Sequence, residues 1–165
     1  MAAAPLLSQL EMTLRQLLQE HAALLRQLDA HESALRSCSL ERIEKATREQ
    51  DIVRQRIAQV ESRRRVLTHQ LARQHRSVQS PTLATLADLY PDRKLVLIGI
   101  RGELAELSEQ IQRKSMLVGR IAQSVLGHVN ATLRLVANAA AGPGAYTRSG
   151  TAPLDGRMGV LNAVA

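Results

Sequence analysis

The chain has no Phe, no Trp and only two Tyr in its 165 residues. Aromatic side chains supply much of the burial in ordinary compact cores. Here the apolar content is Leu, Ile and Val, recurring every three to four positions through three long stretches. An aliphatic seam of that period is what long packed helices use. The sequence therefore predicts an all-α protein. The expected architecture is an antiparallel bundle or coiled-coil hairpin of three long helices plus one short helix, with a flexible C-terminal tail. The expected division is a helical domain over residues 1–141 and a Gly/Pro-containing tail over 142–165.

The first helix is expected from about Pro5 to Arg36. Proline in a first turn loses no intrahelical hydrogen bond, and Ser8 with Glu11 has capping-box spacing as an alternative start. The seam reads Leu7, Leu10, Leu14, Leu17, His21, Leu24, Leu28, His31 and Leu35. His21 and His31 lie ten positions apart on one helix. A metal pair on a helix needs closer spacing and further ligands, so both read as structural or partly exposed histidines.

The second helix is expected from about Leu40 to Arg76. Its seam is Ile43, Ala46 or Thr47, Gln50, Val53, Ile57, Val60, Leu67 and Leu71, broken at Arg64. Continuing the first seam predicts an apolar residue at position 42, and it falls at Ile43 instead. One residue is roughly 100° of helix, so the faces do not line up. With Ser39 able to cap, the slip predicts a turn near 37–39 and a two-helix hairpin. A single helix with a stutter is the weaker alternative.

Ser80-Pro81 reads as a cap and first-turn proline opening a short helix over about 82–89. Asp92 is then expected to cap a long helix from about Arg93 to Ala141. Its seam runs Leu97, Ile100, Leu104, Leu107, Ile111, Val118, Ile121, Val125, Val129, Leu133 and Val136. No Asp or Glu occurs between Glu109 and Asp155, and Leu117 and Leu126 add to a second apolar side. Core burial is the default reading of this acid-free stretch. Its competitor is a face offered to another protein. Gly142-Pro143-Gly144 stops the helix, and the following residues show no sustained seam.

Net charge is +7, and the excess sits in residues 42–76, which hold ten basic and four acidic side chains. Such a segment could meet nucleic acid, anionic lipid or an acidic protein face. The preference for Arg over Lys also fits a GC-rich coding sequence. Arg63-Arg64-Arg65 fans around the helix and reads as a solvated turn rather than one phosphate-binding face. The lone Cys38 excludes an internal disulfide and offers no metal site. No cofactor and no metal is expected. A nucleophile–base set is not legible, so no enzyme is expected. The N-terminus lacks a signal-peptide pattern, and no apolar run approaches a membrane span. Membrane insertion is therefore not expected, and a cytoplasmic location is.

The order of elements resembles the FlgN-type flagellar export chaperones. The resemblance rests on Leu17-Leu18-x-Glu20, Ala23-Leu24 and Ala34-Leu35 in the first helix. In the second it rests on Leu40-x-x-Ile43, Val53, Ile57 and Val60-Glu61-x-x-Arg64-x-x-Leu67. Leu83-x-x-Leu86, Leu104-x-x-Leu107-x-x-x-Ile111, Met116-Leu117-Val118 and Leu133-x-Leu135-Val136 follow, and Tyr146-x-x-x-Gly150 closes it. The resemblance implies a cytoplasmic, non-enzymatic chaperone of the flagellar type III export system. Its clients would be the C-terminal helical segments of hook–filament junction proteins, kept from early assembly and delivered to the cytoplasmic domain of the membrane export gate. Client binding is expected at Leu117, Val118, Ile121, Val125, Leu126, Val129, Leu133 and Val136, and export-gate docking at Tyr146. Two other classes stay open: a self-associating coiled-coil protein (a homo-oligomer), and a basic helical protein binding nucleic acid through residues 42–76. No nucleic acid partner is expected on the chaperone reading.

Overall fold

The computed structural model describes residues 3–75 and 81–140. Four α-helices follow in order: α1 (Ala3–Arg36), α2 (Leu40–Gln74), α3 (Leu83–Leu89) and α4 (Lys94–Ala140), with a 3-10 turn Pro91–Arg93 leading into α4. No strand occurs among the described residues. The all-α class and the three long helices with one short one are as the seams predict. The chain divides into two units, Met1–Val125 and Leu126–Ala165.

In the first unit α1 and α2 form the hairpin. Helix α1 starts at Ala3, so the alternative start at Ser8 is not used, and Glu11 lies inside the helix. At the other end Cys38 adopts a left-handed conformation, φ 49°. Its N–H bonds to the Leu35 carbonyl at 3.0 Å, and the Ser39 N–H bonds to the Ala34 carbonyl at 3.3 Å. This pair of bonds is the Schellman closure, which satisfies carbonyls that the helix end leaves open. Ser39 takes the N-cap position of α2, but its side chain makes no cap bond. The three-residue reversal Ser37–Ser39 rules out the continuous helix with a stutter.

The buried positions of the hairpin follow the predicted seams. Leu7, Leu10, Leu14, Leu17, Leu28 and Leu35 are buried on α1, as are Ala46, Val53, Val60, Leu67 and Leu71 on α2. Arg64, which breaks the second seam, turns aside to pair with Glu61 at 2.9 Å.

Within the first unit helix α4 runs parallel to α1 and antiparallel to α2. Arg93 reaches Glu11, Lys114 reaches Asp29 and Glu32, and Val118 packs with Leu28 and Leu35. The offset between partners stays near one value along both helices, which only parallel chains can do.

Two clusters hold this bundle. Leu7, Leu10 and Leu14 pack with Leu67, Leu71, Leu86, Leu97 and Ile100 at one end, and Leu28, Leu35 and Val118 pack at the other. Burying each such aliphatic side chain is worth about 1.5–3 kcal/mol. Leu86 is fully buried, so α3 closes the first cluster.

Helix α3 is capped by Thr82, whose hydroxyl accepts from the Thr85 N–H at 3.2 Å. The cap therefore falls two residues later than the Ser80-Pro81 reading places it; Ser80 lies outside the described residues. Asp92 sits within the 3-10 turn rather than capping α4. The expected tail, 142–165, also lies outside the described residues.

Candidate functional site

The apolar seam of α4 changes environment along its length. Leu97, Ile100 and Val118 are buried in the bundle. Ile111, Ile121 and Ala122 are partly buried against Leu28, Leu35 and Val118. Val125 is half-buried, and Leu117 is exposed. The default reading, core burial, holds for Val118 and in part for Ile121, Ala122 and Val125, but not for Leu117. From Leu126 onward every described side chain of α4 is exposed.

In the second unit Leu126 and Leu133 are each 61% exposed, Val129 49%, and Val136 60%. Their spacing of three, four and three places them on one face of the helix. Leu135 lies off that face and is 70% exposed. Single exposed aliphatics are ordinary on protein surfaces, whereas a stripe of them along one helix marks an interaction surface. Arg134 is the only charged residue from Leu126 to Ala140. The expected client-binding set is thus divided. Val118 and Ile121 serve the bundle, while Leu126, Val129, Leu133 and Val136 stand uncovered. Tyr146 lies outside the described residues.

Polar groups fix the scaffold that carries this helix. Lys114 Nζ lies 2.5 Å from Asp29 Oδ1 and 2.7 Å from Glu32 Oε2. The hydrogen bonds that the Lys114 ammonium donates to Asp29 and then Glu32 hold it above its usual range. The bonds from Lys114 and then Arg36 hold the Glu32 carboxyl below the usual carboxylate range. At the other end His75 Nε2 and the Tyr90 hydroxyl lie 2.6 Å apart, their rings edge to face at 5.5 Å. Burial pushes the Tyr90 phenol up.

The two seam histidines have structural partners. His21 Nδ1 donates to the Leu17 carbonyl at 2.9 Å. Gln50, buried on α2, donates from Nε2 to His31 Nδ1 at 2.7 Å. The seams place His31 and Gln50 each on an inward face, but their pairing required the register of the hairpin. Among the described residues no cluster of His, Cys, Asp or Glu is arranged to hold a metal ion. No helix there is long and apolar enough to cross a membrane.

The comparison with protein families matches residues 1–153 to the family described as FlgN protein. The chain belongs to the FlgN family. It is thereby a flagellar export chaperone in the general sense of that family. No curated protein and no solved structure matches the chain significantly. In this FlgN-family member, Leu126, Val129, Leu133 and Val136 form an exposed aliphatic stripe on the second unit.

Proposed function

We propose that the chain is a cytoplasmic, non-enzymatic chaperone that binds the C-terminal helical segment of a hook–filament junction protein. It holds that segment until delivery to the cytoplasmic domain of the export gate. The observation that carries this reading is the exposed aliphatic stripe Leu126, Val129, Leu133 and Val136. An amphipathic helix needs such a face to bury its own apolar side before polymerising. Affinity then comes from buried aliphatic area, about 25 cal/mol per Å² before the costs of association. Helix-on-helix packing needs no nucleotide, so handover proceeds by competition. Tyr146 docks at the gate in this reading, because a lone aromatic on the segment after Gly144 can anchor in a pocket.

A pull-down from flagellated cells tests the proposal. The full chain is expected to capture a hook–filament junction protein, and Leu126→Asp/Leu133→Asp is expected to lose it. Tyr146→Ala is expected to keep the client and lose the export gate. Undiminished capture by the double variant would remove the client from α4. Recovery of self alone, or of nucleic acid alone, would favour the coiled-coil or the basic-helix alternative.

A further inference from the structure

On the hairpin a shallow groove runs between α1 and α2. It is lined by Gln9, Met12, Arg15, Gln16 and Gln19 of α1 and by Arg63 of α2. Met12 is 68% exposed and is the one exposed large apolar side chain of α1 among the described residues. Arg15 and Arg63 are exposed, and neither has a carboxylate within ion-pair distance among the described residues.

The surrounding arginines differ. Arg48 pairs with Glu44, Arg54 with Asp51, Arg56 with Glu20, and Arg64 with Glu61. Arg42, Arg65 and Arg73 of α2 also lack a carboxylate within ion-pair distance among the described residues, but of the α2 arginines only Arg63 lines this groove, so the groove carries one guanidinium from each helix. Between them lie three glutamines, whose amides can donate to carboxylates and pair with peptide groups. Met12 offers a soft, adaptable apolar contact.

We propose that this groove binds an acidic peptide segment of a partner protein. Its carboxylates meet Arg15 and Arg63 in charge-assisted bonds, and an aliphatic side chain between them rests on Met12. Nucleic acid fits the groove less well. Single strands are held by stacking on aromatics and by a run of phosphate contacts. None of the lining residues is aromatic, and only two cations face the groove. None of the groove's lining residues belongs to the stripe at Leu126–Val136.

Fluorescence anisotropy with a fluorescein-labelled peptide of repeating Glu-Glu-Leu units, titrated with the full chain, tests this. Saturable binding that weakens with salt is expected. Arg15→Glu/Arg63→Glu should weaken it about tenfold or more, and Met12→Ala about threefold. Arg120→Glu/Arg134→Glu, the same charge change on α4, should leave it unchanged. Circular dichroism of each variant checks that the helices persist. Equal losses from both charge reversals would mean that the peptide follows net charge, and the proposal fails. It fails equally if Arg15→Glu/Arg63→Glu binds like the parent. Displacement of the peptide by a lower concentration of oligo(dT) would assign the groove to phosphates instead.

Discussion

Lys114 on α4 and Glu32 on α1 meet at 2.7 Å, and this contact fixes where α4 lies along the hairpin. Asp29 shares the same ammonium, one turn earlier on α1. The pair sits beside Leu28, Leu35 and Val118, the last buried cluster of the bundle. Charge and packing therefore set the register of α4 at the same point.

That contact makes stability pH-dependent in a defined direction. Glu32 has its carboxyl lowered in the fold, so its contribution is present above the ordinary value of 4.5 and is lost as pH falls through the folded value. Lys114 has its ammonium raised, so its contribution is present below 10.5 and is lost as pH rises through the folded value. Lys114→Met removes the second contribution and the larger cause of the first, leaving the Arg36 bond to Glu32. Thermal melts from neutral pH downward should show a shallower acid decline for the variant than for the parent. Parallel declines would mean that other carboxylates govern acid unfolding.

The reversal between α1 and α2 places Cys38 at a positive φ, where a side chain crowds its own carbonyl. For non-glycine residues this costs about 1 kcal/mol. Cys38→Gly keeps the Schellman bonds and removes that cost. It is expected to raise the urea midpoint by the equivalent of about 0.5–1 kcal/mol, with an unchanged slope. A lowered midpoint would show that the added flexibility of the unfolded chain outweighs the relief.

His31 and Gln50 form the polar rung inside the hairpin. Replacing His31 leaves the buried Gln50 amide with the long 3.5 Å bond to the Gln27 carbonyl. His31→Leu should therefore cost about 1–2 kcal/mol by leaving the buried Gln50 amide under-satisfied. The double variant His31→Leu/Gln50→Leu should recover most of that loss, since two apolar side chains of fitting size need no partner. A double-mutant cycle measured by urea unfolding checks the coupling; additive losses would mean that the two groups act independently.

The sequence was most legible where structure is local. Leu7, Leu10, Leu14 and Leu17 repeat with the helical period, and burial follows the repeat. The slip from 42 to Ile43, next to the Ser37-Cys38-Ser39 run, located the turn, although a stutter in one continuous helix could have given the same slip. Which serine capped was less legible. Ser39 makes no side-chain bond, and Thr82, not Ser80, caps α3; each choice depends on how the incoming chain approaches. The parallel course of α4 depends on pairs such as Glu11 with Arg93, which lie far apart in sequence. Nor does periodicity say what covers a face. Val118 and Val129 belong to one continuous seam, yet one is buried and the other exposed.

That difference between Val118 and the residues beyond it yields the prediction that bears most directly on function. Val118 is 6% exposed and packs with Leu28 and Leu35. Val118→Ala removes buried methyl groups and leaves a cavity, so it should cost about 1–3 kcal/mol of stability. Leu133 touches no such core, and Leu133→Ala should change stability by less than about 0.5 kcal/mol. If the exposed stripe is the client surface, the order reverses for binding. Leu133→Ala should weaken capture of the junction protein by about tenfold, the usual effect of truncating a central apolar anchor. Val118→Ala should bind nearly as the parent does below its melting temperature. Melting curves and isothermal titration on the same two variants separate the roles. Loss of stability and binding together in Leu133→Ala would place that residue in the folded core. Loss of binding in Val118→Ala alone would move the client toward the bundle.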